Sequence, residues 1–168
     1  MFLKGLFKKE KQLKVYALYA PMNGEILPLE QVPDPVFSQK MMGEGFSIIP
    51  SDGEVVAPVT GKVIQVAPTK HAIGLITDEG IEVLIHVGLE TVALKGEGFT
   101  VHVSEGEEVT VGQSLLTVNL SYIKEHAKSE QTIVVITNTD ESKYVYESVE
   151  ENRAILGKTV VMNIQEKQ

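Results

Sequence analysis

Two histidines, His71 and His86, are the side chains best suited to chemistry here, and Thr69 and Gly88 each lie two positions from one of them. Neutral imidazole is a good nucleophile near pH 7, because its unperturbed pKa is about 6.5. One ring nitrogen can attack phosphorus when the other, as N–H, donates to a fixed acceptor; the second nitrogen thus sets tautomer and direction. The carbonyl of Gly88 can be that acceptor for His86, since glycine leaves room for close approach. The imidazole of His71 can donate an N–H to a phosphoryl oxygen, with Thr69 holding its other nitrogen. Transfer between nitrogen nucleophiles then needs mainly positioning and charge stabilisation. The same two rings also suit a metal site with open positions, and zinc bound adventitiously is the expected metal. His102 and His126 stand in unpatterned contexts and are read as non-functional.

Whether the two rings meet depends on the elements that carry them. Ile81, Val83, Ile85, Val87 and Leu89 alternate with Glu82, Leu84, His86, Gly88 and Glu90, a period of two that reads as a strand with one buried face. His86 falls on the other face. His71–Ile76 reads as a second strand, with Thr77–Gly80 as the turn between them. A two-residue loop at Asp78-Glu79 places His71 directly across from His86, with Cβ atoms roughly 4.5–5.5 Å apart. A three-residue loop with Gly80 as a left-handed bulge shifts the register by one, sets His71 opposite Val87 and turns it toward the core. The first register is preferred, because the second buries a histidine and exposes Ala72 and Ile76.

The remaining chain supports one domain, residues 15–168, with a basic leader, residues 1–14. At 168 residues and 43% hydrophobic composition the chain can bury a full core. No apolar run approaches the roughly 20 residues a spanning helix requires. The absence of cysteine excludes disulfides and thiol catalysis. A net charge of −8 argues against a nucleic-acid partner. The leader runs against that charge: Lys4, Lys8, Lys9, Lys11 and Lys14 face Glu10 alone, interleaved with Phe2, Leu3, Leu6 and Phe7. It reads as a flexible tail or as a short basic amphipathic helix making peripheral contact with an anionic membrane.

Beyond the leader, short strand-like runs recur between Gly, Pro, Asn and Asp, the pattern of an all-β antiparallel sandwich or barrel. Helix is scarce: Ser121–Ser129 reads as one or two turns capped by Ser121, and Asp34–Met42 as a short piece starting where Asp34 precedes Pro35. Tyr19-Ala-Pro-Met-Asn-Gly-Glu-Ile26 and Val56-Ala-Pro-Val-Thr-Gly-Lys-Val63 echo each other. The echo resembles the halves of biotinyl and lipoyl carrier domains, but no Met-Lys-Met hairpin tip is present to hold a swinging arm.

The stretch Gly80-Ile-Glu-Val-Leu-Ile-His-Val-Gly-Leu-Glu-Thr-Val92 resembles the active-site signature of the glucose-type enzyme IIA of the bacterial sugar phosphotransferase system, with every place filled. Ala93–Phe99, Thr69–Ala72, Val32–Phe37 and the Ala57-Pro58 turn extend the resemblance over roughly residues 15 to 165. It implies an antiparallel β-sandwich and a cytoplasmic protein carrying a transient phosphohistidine. It assigns His86 as the phosphorylated residue, bonded through Nε2, and His71 as the group stabilising the phosphoryl oxygens. Thr69 would support His71, and the Gly88 carbonyl would orient His86. Phospho-HPr would be the donor and an enzyme IIB domain the acceptor, with no cofactor and no metal required.

The resemblance also implies a docking surface: an apolar patch of Val36, Phe37, Met41, Met42, Leu84 and Val92, rimmed by Asp34, Glu82 and Glu90. Two places depart from the common pattern, Ala67 and Leu84, where phenylalanine often stands; the leaner patch bears on which IIB partner is preferred. A second reading is a regulatory module that binds permeases or kinases according to its phosphorylation state. A third, a lysostaphin-type metallopeptidase, needs a His-x-His pair and an aspartate ligand, and His86-Val-Gly88 does not provide them. The identity of the sugar and the oligomeric state are not written in the sequence.

Overall fold

The computed structural model of the chain describes residues 14–139 and 143–167; the leader, apart from Lys14, lies outside them. Every strand pairing among the described residues is antiparallel. The largest sheet runs from edge to edge as β13 (Arg153–Ala154), β2 (Gly24–Pro28), β3 (Glu44–Pro50), β11 (Thr132–Ile136), β7 (Glu82–His86), β6 (Ala72–Ile76), β5 (Gly61–Val66) and β9 (Glu108–Val109). Two three-stranded sheets complete the fold. One orders β1 (Val15–Tyr19), β14 (Val160–Glu166) and β12 (Tyr144–Ser148); the other orders β4 (Glu54–Val56), β10 (Ser114–Val118) and β8 (Phe99–Val101). Fully buried residues from all three sheets, among them Leu18, Ile48, Val55, Leu75, Ile85, Leu116 and Ile164, share one apolar core. The fold is therefore a β-sandwich with short helical pieces. No helix among the described residues is long and apolar enough to cross a membrane.

The echo in the sequence is built into the backbone. Tyr19 N–H donates to the Pro58 carbonyl at 2.9 Å, while Val56 N–H donates to the Pro21 carbonyl at 2.8 Å. These are corresponding members of the two similar segments. Gly157 N–H and Gly112 N–H bond the Ala20 and Ala57 carbonyls, again as counterparts. The strand order of the large sheet reads alike from either end, with β7 and β11 meeting at its centre. The repeat thus goes beyond shared turn chemistry and describes two halves related by a local twofold.

The hairpin between β6 and β7 corrects the preferred register. Ala72, not His71, pairs with His86, and Ile76 pairs with Glu82. The loop has three residues: Thr77 N–H bonds the Ile81 carbonyl at 3.0 Å, Gly80 N–H bonds the Thr77 carbonyl at 2.9 Å, and Gly80 takes a φ of 89°. This is the turn-plus-glycine-bulge hairpin that the alternative register required. The exposure argument against it fails because Ala72 is small enough to lie buried at 8% exposure, and Ile76 is half-buried.

A second apolar layer covers the outer face of the large sheet. Strand β11 is buried along its whole length, Thr132-Ile-Val-Val-Ile136, because both of its faces are packed. One face enters the main core. On the other, Ile133 and Val135 pack with Leu29, Val32, Phe37 and Leu89, and with partly buried Met42 and Leu84. The segment carrying Leu29, Val32 and Phe37 includes the helix Pro35–Ser38, opened as expected by Asp34, whose Oδ1 accepts from the Val36 N–H at 3.0 Å. The later helix spans Leu120–His126 and is capped by Asn119, whose side chain accepts from Tyr122 N–H, two residues earlier than Ser121 would have placed it. Strands β9, β12 and β13 carry no clear signal in the sequence: two are only two residues long, and β12 is a largely exposed edge.

Candidate functional site

His86 is the last residue of β7, on the outer face, half-buried where the strand leaves the sheet. Its Nδ1 lies 2.9 Å from the carbonyl oxygen of Gly88. A carbonyl only accepts, so Nδ1 carries the hydrogen, and in the neutral ring Nε2 holds the free lone pair. The turn that aims this carbonyl is closely specified. Gly88 has a φ of 77°, and a Cβ built there would stand 2.5 Å from Thr91 Cγ2 and 2.8 Å from the Ser129 carbonyl oxygen. Thr91, fully buried, donates its hydroxyl to the Val87 carbonyl at 2.6 Å. Leu89 N–H bonds the Ser129 carbonyl at 2.9 Å. Thr91 fills a place in the signature, yet nothing in its spacing announces this bracing role.

His71 reaches the same spot by a different route from the one the strand pattern suggests. It lies one residue before β6, after Lys70, which adopts a left-handed φ of 62° within a turn closed by Lys70 N–H to the Ala67 carbonyl at 2.8 Å. Its carbonyl accepts from Val87 N–H at 2.8 Å, so its backbone does sit opposite Val87. The pleat ends at Ala72, however, and the side chain is no longer bound to the core-facing alternation. The two imidazoles meet edge to face, with ring centroids 4.8 Å apart and planes at 79°. Thr69 Oγ1 lies 2.7 Å from His71 Nδ1. All four residues singled out for chemistry therefore converge.

Electrostatics favour uncharged rings. Burial pushes His86 down to about 4, and the neighbouring His71 adds to the effect; the Gly88 carbonyl and the charge of Asp34 oppose it. Burial also lowers His71, and its contact with Thr69 opposes the shift. At neutral pH both rings are neutral. Among the described residues no cluster of three or more His, Cys, Asp or Glu side chains could hold a metal ion. The histidine pair supplies two donors, fewer than a protein zinc centre uses.

On the segment that carries Phe37 and on the one that follows the Gly88 turn, Val36 (41% exposed), Met41 (69%) and Val92 (58%) are open apolar surface. Leu84 and Met42 are partly buried against the outer layer. Asp34 is half-buried at its helix cap, and Glu90 is exposed with a left-handed φ of 60°. Phe37 differs: at 6% exposure it offers almost nothing to a partner, and its ring lies against His86, with centroids 5.2 Å apart. Glu82 lies at the far end of β7, roughly 13 Å along the strand from His86, where Thr137 Oγ1 donates to its carboxylate at 3.2 Å. His102 and His126 lie elsewhere, the first bonded to Thr117 and the second stacked on Tyr122.

Comparison with known proteins bears directly on this arrangement. The chain is 52% identical over 162 residues to the PTS system glucose-specific EIIA component of Staphylococcus aureus (strain COL), covering 96% of this chain and 97% of that protein. It is 49% identical over 168 residues to the protein of that name from Halalkalibacterium halodurans, covering 96% of each. The solved structure of glucose permease IIA from Mycoplasma capricolum superposes with a TM-score of 0.81 at 35% identity, covering 89% of this chain and 96% of that one. The model of the family described as phosphoenolpyruvate-dependent sugar phosphotransferase system, EIIA 1, matches residues 16–142. The chain belongs to that family and is a phosphocarrier of sugar uptake.

Proposed function

We propose that His86 is the residue that carries the phosphoryl group. The observation that supports this best is the Gly88 carbonyl on Nδ1, which leaves Nε2 as the nucleophilic nitrogen of a neutral ring. In the acceptance step the Nε2 lone pair forms a bond to phosphorus as the nitrogen–phosphorus bond of phospho-HPr breaks. The electron pair of the broken bond returns to the donor's imidazole. Developing positive charge on the His86 ring is spread toward Nδ1–H and stabilised by the Gly88 carbonyl dipole. In the onward step a nucleophile on an enzyme IIB domain attacks phosphorus, and the electron pair of the broken nitrogen–phosphorus bond returns to Nε2 of His86. It is in this step that His71 donates its Nε2–H to a phosphoryl oxygen, in the tautomer selected when the Thr69 hydroxyl donates to Nδ1.

Val36, Met41 and Val92, with partly buried Met42 and Leu84, form the docking patch, and Asp34 and Glu90 supply negative charge beside it. Modest apolar burial allows rapid release, while charge raises the encounter rate. The relatives' names point to glucose as the sugar served. Residues 15–168 act as the carrier on the cytoplasmic side. The experiment is incubation with phosphoenolpyruvate, enzyme I and HPr, followed by mass measurement. One acid-labile, base-stable phosphate is expected on the wild type and none on His86→Ala; normal acceptance by His86→Ala would refute the assignment.

A further inference from the structure

The hydrogen bond from Nδ1 to the Gly88 carbonyl fixes one atom of the His86 ring and leaves it free to swing about that contact. Two rings limit the swing. His71 meets His86 edge to face, and Phe37 lies against it at 5.2 Å with planes inclined by 56°. Phe37 is held firmly. It sits among Leu29, Val32, Leu89, Ile133 and Val135 in the outer apolar layer, on the helix that Asp34 caps. Just before that helix, the Pro33 carbonyl accepts from the Lys128 ammonium at 2.9 Å. The next residue along from Lys128 bridges Leu89, so one loop braces both the turn after His86 and the segment carrying Phe37.

We infer that Phe37 is a positioning residue for phosphoryl transfer, its ring fixing the His86 imidazole and excluding water from the side it covers, and that it is not a contact for the partner protein. This rests on His86 being the phosphoryl acceptor. A docking residue must be reachable, and Phe37 is 6% exposed, whereas Val36 and Met41 beside it are open. The covering ring also contributes to the burial that keeps His86 uncharged. The other groups acting on that ring are His71 from the turn before β6, Asp34 from the helix cap and the Gly88 carbonyl; none of them would be altered by a change at Phe37.

The test is Phe37→Leu, which keeps an apolar side chain and removes the ring. Two quantities are read: steady-state phosphoryl acceptance over a range of phospho-HPr concentrations, and the His86 titration midpoint from imidazole NMR shifts. The expected result is a kcat lowered about tenfold with KM for phospho-HPr changed less than about twofold. The midpoint should also move upward from about 4 toward 6.5. Phe37→Tyr, which keeps the ring, should restore kcat to within about twofold of wild type. If Phe37→Leu does not fold, Phe37→Met serves in its place with the same expectations. A raised KM with kcat and midpoint unchanged would overturn the inference and make Phe37 a docking residue. Failure of the underlying reading is separable: phosphate on His86→Ala would remove the acceptor itself, whereas a dead His86→Ala beside an unaffected Phe37→Leu would sink only the role given to Phe37.

Discussion

The Gly88 carbonyl oxygen and Nδ1 of His86 lie 2.9 Å apart across a turn of two residues, and that turn closes only with glycine at its end. At a φ of 77°, with Thr91 Cγ2 and the Ser129 carbonyl where a Cβ would go, any side chain forces the backbone to move. Gly88→Ala should therefore displace the carbonyl and release the imidazole. A stability loss of roughly 1–3 kcal/mol is expected from the strained conformation, with phosphoryl acceptance slowed about 10²-fold. Thermal melts and single-turnover transfer from phospho-HPr would measure both; a melt and a rate both equal to wild type would show that the turn is not required.

Stability should fall on the acid side because of the same imidazole. The folded-state pKa of His86, about 4, lies below the ordinary 6.5, so between these values the unfolded chain binds more protons than the folded one. The contribution is fully present above pH 6.5 and is lost as pH falls toward 4. Integrated, it amounts to roughly 2–3 kcal/mol after allowance for partial solvent screening. The lowered His71 acts in the same direction. Urea midpoints taken across this range should decline for wild type and decline less for His86→Gln; parallel slopes for the two proteins would contradict the account.

What the sequence could and could not show follows from how far each signal reaches. The alternation from Ile81 to Val87 fixed β7 and put His86 on the outer face, because a half-buried strand writes its burial at a period of two. The register of its hairpin was misread because it rests on three loop residues. A left-handed Gly80 costs nothing that composition reveals, and a single residue's slip exchanged Ala72 for His71 opposite His86. The histidines meet regardless, since Lys70 turns the chain before the pleat begins, an effect no alternation rule covers. The family resemblance put Phe37 in the docking patch, and no periodicity in the sequence told how deeply it is buried. Only the packing of Ile133 and Val135 beneath it reveals that this face of β11 needed a cover.

The 2.7 Å contact between Thr69 Oγ1 and His71 Nδ1 separates two roles that a histidine deletion would merge. In His71→Ala, phosphate should still arrive from HPr, while transfer onward to a IIB domain should fall by about 10² to 10⁴, the range typical of a lost proton donor. Thr69→Val keeps the shape but removes the hydroxyl. It should leave arrival unchanged and slow departure by about tenfold, because His71 remains but its tautomer is no longer selected. Rapid-quench measurement of each half-reaction gives the two numbers. Equal slowing of arrival and departure in Thr69→Val would mean that the hydroxyl serves the fold and not the phosphoryl group.

Asp34 carries two duties that substitution can divide. Its Oδ1 caps the helix Pro35–Ser38 by accepting from Val36 N–H at 3.0 Å, and its charge opposes the lowering of His86. Asparagine can cap equally well but bears no charge. Asp34→Asn should therefore melt near the wild-type temperature, with His86 titrating lower still and association with HPr slowed at low salt. Asp34→Ala should lose the cap as well, at a cost of about 1 kcal/mol, and with it some of the hold on Phe37. Its kcat for acceptance should then fall below that of Asp34→Asn. Indistinguishable kcat values for the two variants would mean that the helix keeps Phe37 on His86 without its cap, leaving the apolar layer alone to do so.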